Sequence, residues 1–148
     1  MITLIGIVVI VLGLMCWIGQ GLAVFAFPMA VKFGLFEPEE ELDQSLYLFE
    51  RLAQGIMDVL LAWILPLSAL LMILDNAFWP LFALVGGGIY LYFPGLFMIS
   101  RIVLKKHGKK VGSPSSVRTA YIFGTVWIVA AITMIVLATI ELRFGTIG

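Results

Sequence analysis

The chain has 148 residues, of which 62% are hydrophobic and only 12% charged, and nine basic and nine acidic side chains cancel to a formal net charge of zero. Ordinary soluble domains hold about 45–50% apolar and about 25% charged residues, so a water-soluble fold of this composition would expose far too much apolar surface. Zero net charge gives no general attraction for nucleic acid, and the lone cysteine, Cys16, excludes an intramolecular disulfide or thiolate cluster.

The charges fall in clusters that leave uncharged runs at 1–31, 59–74, 76–100 and 119–140. Three of these exceed the roughly 18 residues expected of a spanning helix. The fourth reaches that length only if 52–57 joins it and Asp58 is tolerated inside. The expectation is an all-α membrane protein, a bundle of four transmembrane helices forming one integral membrane domain over 1–148. The expected spans are about 3–28, 52–74, 77–100 and 118–140, with loops at 32–51 and 101–117 and no room for a soluble domain beside them.

The first run lacks a basic flank and is much longer than the roughly 7–15 apolar residues of a signal peptide, so it reads as a retained helix. After Phe36, Pro38 suits a first helical position and Glu39, Glu40 and Glu41 suit the positive end of a helix dipole. Leu42, Leu46, Phe49 and Ala53 recur at helical spacing, which predicts a short amphipathic interfacial helix before helix two. Asp75 and Asn76 leave only a tight turn, making the second and third helices antiparallel neighbours.

The third span carries Gly86, Gly87 and Gly88 near its middle and Pro94 and Gly95 nearer its end. These positions read as packing or hinge points. Ala83 with Gly87, and Ala120 with Gly124, have the spacing of close helix approach. Phe78, Trp79, Phe82 and Tyr121 have the positions of interfacial anchors. Residues 113–116, Ser-Pro-Ser-Ser, form the turn before the fourth span, with Ser116 as its expected N-cap.

Basic residues set the orientation. Lys32, Arg51, Arg101, Lys105, Lys106, Lys109, Lys110 and Arg118 share the face of loops one and three, leaving Arg143 alone opposite. The positive-inside rule makes that face cytoplasmic and puts both termini on the other side. The expected location is a prokaryotic cytoplasmic (inner) membrane.

Asp58 lies seven residues beyond Arg51, roughly 10 Å along a helix. Gln20, Tyr90, Tyr92 and Thr125 fall at a similar depth, and Gln54 lies one turn from Asp58. Pro94 has no N–H and leaves the Tyr90 carbonyl without its helical donor. These groups form a candidate polar pocket facing the cytoplasm, and an intramembrane acid is by default a functional-site hypothesis. Arg51 is two turns from Asp58 on nearly the same face, so it pairs with the acid only if it reaches inward. Arg101, Lys105, Lys106, Lys109 and Lys110 suit anionic lipid, or pairing with the acidic segment of loop one.

His107 has no second ligand at metal spacing, no phosphate-binding loop is present, and no arrangement of side chains makes a triad. The expectation is therefore a non-enzyme without metal or cofactor. Its partners are the lipid bilayer and either further copies of itself or other membrane subunits, not nucleic acid. Small size, absent chemistry and glycine-lined helices favour a subunit or assembly partner of a membrane complex. The alternative is a small oligomeric channel or transporter that uses Asp58.

Overall fold

The structure, a computed structural model that describes residues 2–145, is all-helical among those residues, and four of its helices are long and apolar enough to cross a membrane. The first is α1 (Ile2–Phe25), followed by the short α2 (Phe27–Lys32). The second long helix, Gln44–Ile73, is composite. It joins α3 (Gln44–Leu48), a π-helical stretch Phe49–Gln54, α4 (Gly55–Leu61) and α5 (Ile64–Ile73). The third and fourth are α6 (Trp79–Lys106) and α7 (Pro114–Phe144).

Three boundaries differ from the sequence reading. After Pro38 the chain makes only a 3-10 turn, Glu39–Glu41, and the second long helix starts later, capped by Asp43, whose Oδ1 accepts from the Ser45 N–H at 3.1 Å. The cap of α7 is Ser113, not Ser116: its Oγ accepts from the Ser116 N–H at 3.2 Å, and Pro114 takes the first helical position. A serine followed by proline fits this better, because proline at the first position sacrifices no bond. The helix α6 runs unbroken through its glycines and Pro94.

Packing follows chain order: α1 lies against α4 and α5, α5 against α6, and α6 against α7. Leu65, Ala69, Met72, Trp79, Ala83, Tyr90, Ala131 and Met134 form the buried centre. Trp79 is thus a core residue and not an interfacial anchor, while Phe78 beside it is exposed. Between helices in lipid the gain comes from close contact, which small residues permit. A Cβ on Gly86 would lie 2.7 Å from the Leu65 nitrogen, and one on Gly87 would lie 2.5 Å from Ile135 Cγ1. Gly88 and Gly95 meet nothing, whereas Gly124 faces Met98.

The ends of this row do not close on each other. The helices α1 and α7 touch little, and one bond between them is the Trp127 Nε1–H donating to the Leu12 carbonyl at 3.1 Å. From that level to the basic end of the molecule, where loops one and three lie, the bundle is parted.

Candidate functional site

Two helix faces define the parted region. On the second long helix, Glu50, Gln54, Asp58 and Ala62 recur every four residues; on α6, Tyr90, Pro94, Phe97 and Arg101 recur at helical spacing. All of these except Glu50, together with Cys16, Gln20 and residues of α7, line a cavity of about 500 Å³. Along α6 it extends from Tyr90 to Arg101, eleven residues or about 16 Å.

Backbone chemistry builds its inner end. Pro66 has no N–H, so the Ala62 carbonyl loses its helical donor. The buried Tyr90 hydroxyl replaces it, donating to that carbonyl at 2.9 Å and also approaching the Gly13 carbonyl at 3.2 Å. Only glycine fits at position 13, because a Cβ would lie 2.7 Å from the Pro66 ring. Trp17 Nε1–H donates to the nearby Val59 carbonyl at 2.8 Å, fixing α1 to the same turn. The inner end is therefore closed by a hydrogen-bonded layer joining all four long helices.

Above this layer the wall is polar and under-bonded. Asp58 is 4% exposed, and among the described residues its carboxylate has no hydrogen-bond donor or cation. Gln54 is 7% exposed; its Nε2 donates to the Phe93 carbonyl at 3.2 Å, which leaves Oε1 as the atom without a partner. Gln20 Oε1 is likewise buried without a donor. Buried acceptors of this kind are uncommon, since an unmade bond costs roughly 1–3 kcal/mol.

The outer end is closed by a charge cluster. Arg101 is 1% exposed. Its Nε and Nη2 donate to the two Glu50 oxygens at 2.9 and 2.6 Å, and its Nη1 and Nη2 to the two Glu37 oxygens at 2.5 and 3.0 Å. Nη1 also reaches the Val111 carbonyl at 3.1 Å. A planar guanidinium is the side chain able to hold two carboxylates bidentately. Gly112, at φ +97°, makes room for Glu37, whose Oε1 would lie 2.8 Å from a Cβ there.

This cluster docks loop one on loop three. Leu42 and Val111 form an antiparallel bridge, Asp43 N–H donates to the Lys110 carbonyl at 2.8 Å, and Gly112 N–H donates to the Glu41 carbonyl at 3.1 Å. Lys109 Nζ lies 3.2 Å from Asp43 Oδ2. That ammonium, with the Ser45 N–H, holds the Asp43 carboxyl below the usual carboxylate range.

The predicted polar residues divide. Asp58, Gln20, Gln54 and Tyr90 line the one cavity, with Pro94 and Ala120 beside them. Tyr92 is 62% exposed and packs edge-on to Phe93, and Thr125 is exposed and bonds its own helix at Tyr121, so neither reaches the cavity. Arg51 does not turn toward Asp58; it donates to the Ala23 carbonyl and the Tyr47 hydroxyl and lies over the Phe27 ring. Of the basic group, Lys109 and Lys110 face loop one, Lys105 and Lys106 are exposed, and Arg101 is buried away from any lipid headgroup.

The sequence reading offered pairing of Arg101 with the acidic segment of loop one, which Glu37 supplies, but missed Glu50 and the burial of the cluster. The signal was present: Glu50 shares the stripe of Gln54 and Asp58, and Arg101 shares that of Tyr90 and Pro94. Comparison with protein-family models, curated proteins and solved structures finds no match.

Proposed function

We propose that this protein is a small-molecule-binding bundle of the membrane, a transporter or transport subunit, with the cavity around Asp58 as its binding site. One observation carries this reading: a buried carboxylate with no partner among the described residues, on the wall of a cavity of about 500 Å³. That volume lies within the roughly 300–1,000 Å³ range of ligand pockets. A merely structural acid would be expected to have acquired a donor, since leaving it bare is costly.

The charge distribution supports placing loops one and three in the cytoplasm, both termini outside, and the Arg101 end of the cavity on the cytoplasmic side. In that frame the turn Gln44–Leu48 enters helix two from the interface, and a prokaryotic inner membrane suits the bias. The partner-subunit reading is weakened by two of the glycines that motivated it: Gly86 and Gly87 are taken up by contacts within the chain, leaving Gly88 and Gly95 of that helix open.

The test uses native mass spectrometry of protein released gently from its own membranes. Gly19 lines the cavity and a Cβ there meets nothing, so Gly19→Phe adds an aromatic ring at the cavity wall from an unobstructed position. The native chain should retain a small molecule that the Gly19→Phe chain lacks. Retention by both, or a foreign polypeptide in fixed ratio with neither retaining a ligand, would overturn the assignment.

A further inference from the structure

The cavity is specific about what it lacks. Several of its donors are already engaged, Tyr90 with the Ala62 and Gly13 carbonyls, Gln54 Nε2 with Phe93, Trp127 with Leu12, and Arg101 with Glu37, Glu50 and Val111, which leaves the Gln20 amide nitrogen and the Thr119 hydroxyl as neutral donors. Among the described residues the oxygens of Asp58, Gln54 and Gln20 accept no hydrogen bond, and of these three side chains only Asp58 is an acid. A ligand that satisfies such a wall must donate hydrogen bonds, and an acceptor-only ligand would leave every one of these oxygens bare.

Charge points the same way. The lining carries three carboxylates, Glu37, Glu41 and Asp58, against the single guanidinium of Arg101, which Glu50 also engages from behind. Low-dielectric walls strengthen the resulting field. Beside neutral polar groups, the lining holds the aromatic rings of Phe93, Phe123 and Trp127, whose faces favour cations. A bare metal ion suits it poorly: among the described residues no three acidic, histidine or cysteine side chains group to hold one.

Building on the binding reading above, we propose that the cavity takes an organic cation, a protonated amine carried on an apolar body. The ammonium lies against Asp58 with Gln54 Oε1 and Gln20 Oε1 as further acceptors, and the body lies toward Phe123 and Trp127. The gap between α1 and α7, where Gly19 leaves open space, gives an amphipathic molecule a way in from the bilayer.

The test titrates the full chain in phosphatidylcholine nanodiscs with three probes of one shape: 2-naphthylmethylammonium, neutral 2-naphthylmethanol and anionic 2-naphthoate. Calorimetric heats from empty nanodiscs are subtracted. The ammonium should saturate at one per chain and bind at least about tenfold tighter than the alcohol, a difference of about 1.4 kcal/mol, with the carboxylate weakest. Asp58→Asn should remove that advantage by weakening the ammonium far more than the alcohol, and Gly19→Phe should abolish binding of all three.

If the alcohol or carboxylate binds as tightly as the ammonium and Gly19→Phe abolishes it, the cation assignment is wrong while the binding cavity stands. If none of the three binds, or binding ignores Gly19→Phe, the binding reading itself falls. The charge series is read on the native chain, so a poorly folding variant does not blunt it. Weakened ammonium binding when phosphatidylethanolamine is added would identify a lipid headgroup amine as the source, and unchanged binding a free amine; both support the cation.

Discussion

Arg101 is the residue whose removal should cost the fold most. Replacing it by methionine keeps much of the apolar stem but deletes the guanidinium that makes five hydrogen bonds, four of them to two buried carboxylates. The two acids then stand unpaired beside each other. Breaking a buried pair by removing one partner costs about 3–5 kcal/mol, mostly because the remaining charge is left uncompensated. At roughly 2–4 °C per kcal/mol for a chain near this size, Arg101→Met should melt about 6–20 °C below the native protein.

The assay is thermal unfolding in mild detergent, followed by helical circular dichroism. Arg101→Lys should fall between the two, since an ammonium keeps the charge but not the bidentate geometry. The decisive comparison is Arg101→Met combined with Glu37→Gln and Glu50→Gln. Removing all three charges together should recover a large part of the loss, because desolvation of the acids is relieved along with their pairing. An Arg101→Met protein that melts within about 2 °C of native, or a triple variant no better than the single one, would refute the reasoning.

Two further outcomes follow from local geometry. Gly86→Ala should destabilise by about 1–3 kcal/mol, since its methyl meets Leu65 backbone at 2.7 and 2.8 Å, whereas Gly88→Ala meets nothing and should stabilise by about 0.5–1 kcal/mol; paired melting curves check both signs. The Asp43 carboxyl is held below its unfolded value by Lys109 and Ser45, so its contribution is full above the unfolded pKa and is lost as pH falls through the lowered folded one. Exposure keeps that contribution small, and Asp43→Asn should flatten this part of the acid limb in melting point against pH.

The sequence made the four long helices readable because spanning a bilayer imposes a length and a composition that few other folds share. It also brought out Asp58, since one acid in an apolar run stands out. Depth alone was a poorer guide to convergence. Tyr92 and Thr125 are at the right level but on the wrong faces, and angle around the helix decides what a side chain meets. Tyr90 and Tyr92, two residues apart, point nearly opposite ways, one to the buried centre and the other outward.

The charged residues near the loops were harder to place for a related reason. A cytoplasmic loop is expected to be basic whatever else it does, so Arg101 was hidden among Lys105, Lys106, Lys109 and Lys110, and Glu50 drew no notice beside the acidic segment of loop one. Helical register separates them. Glu50 continues the stripe of Gln54 and Asp58 by one turn, and Arg101 continues that of Tyr90, Pro94 and Phe97, so the two facing stripes that line the cavity also supply the pair that closes it. The acid at Asp58 and the clamp at Arg101 are therefore two levels of one helix contact. The lower level lacks a cation among the described residues, and the upper level has one shared between two carboxylates.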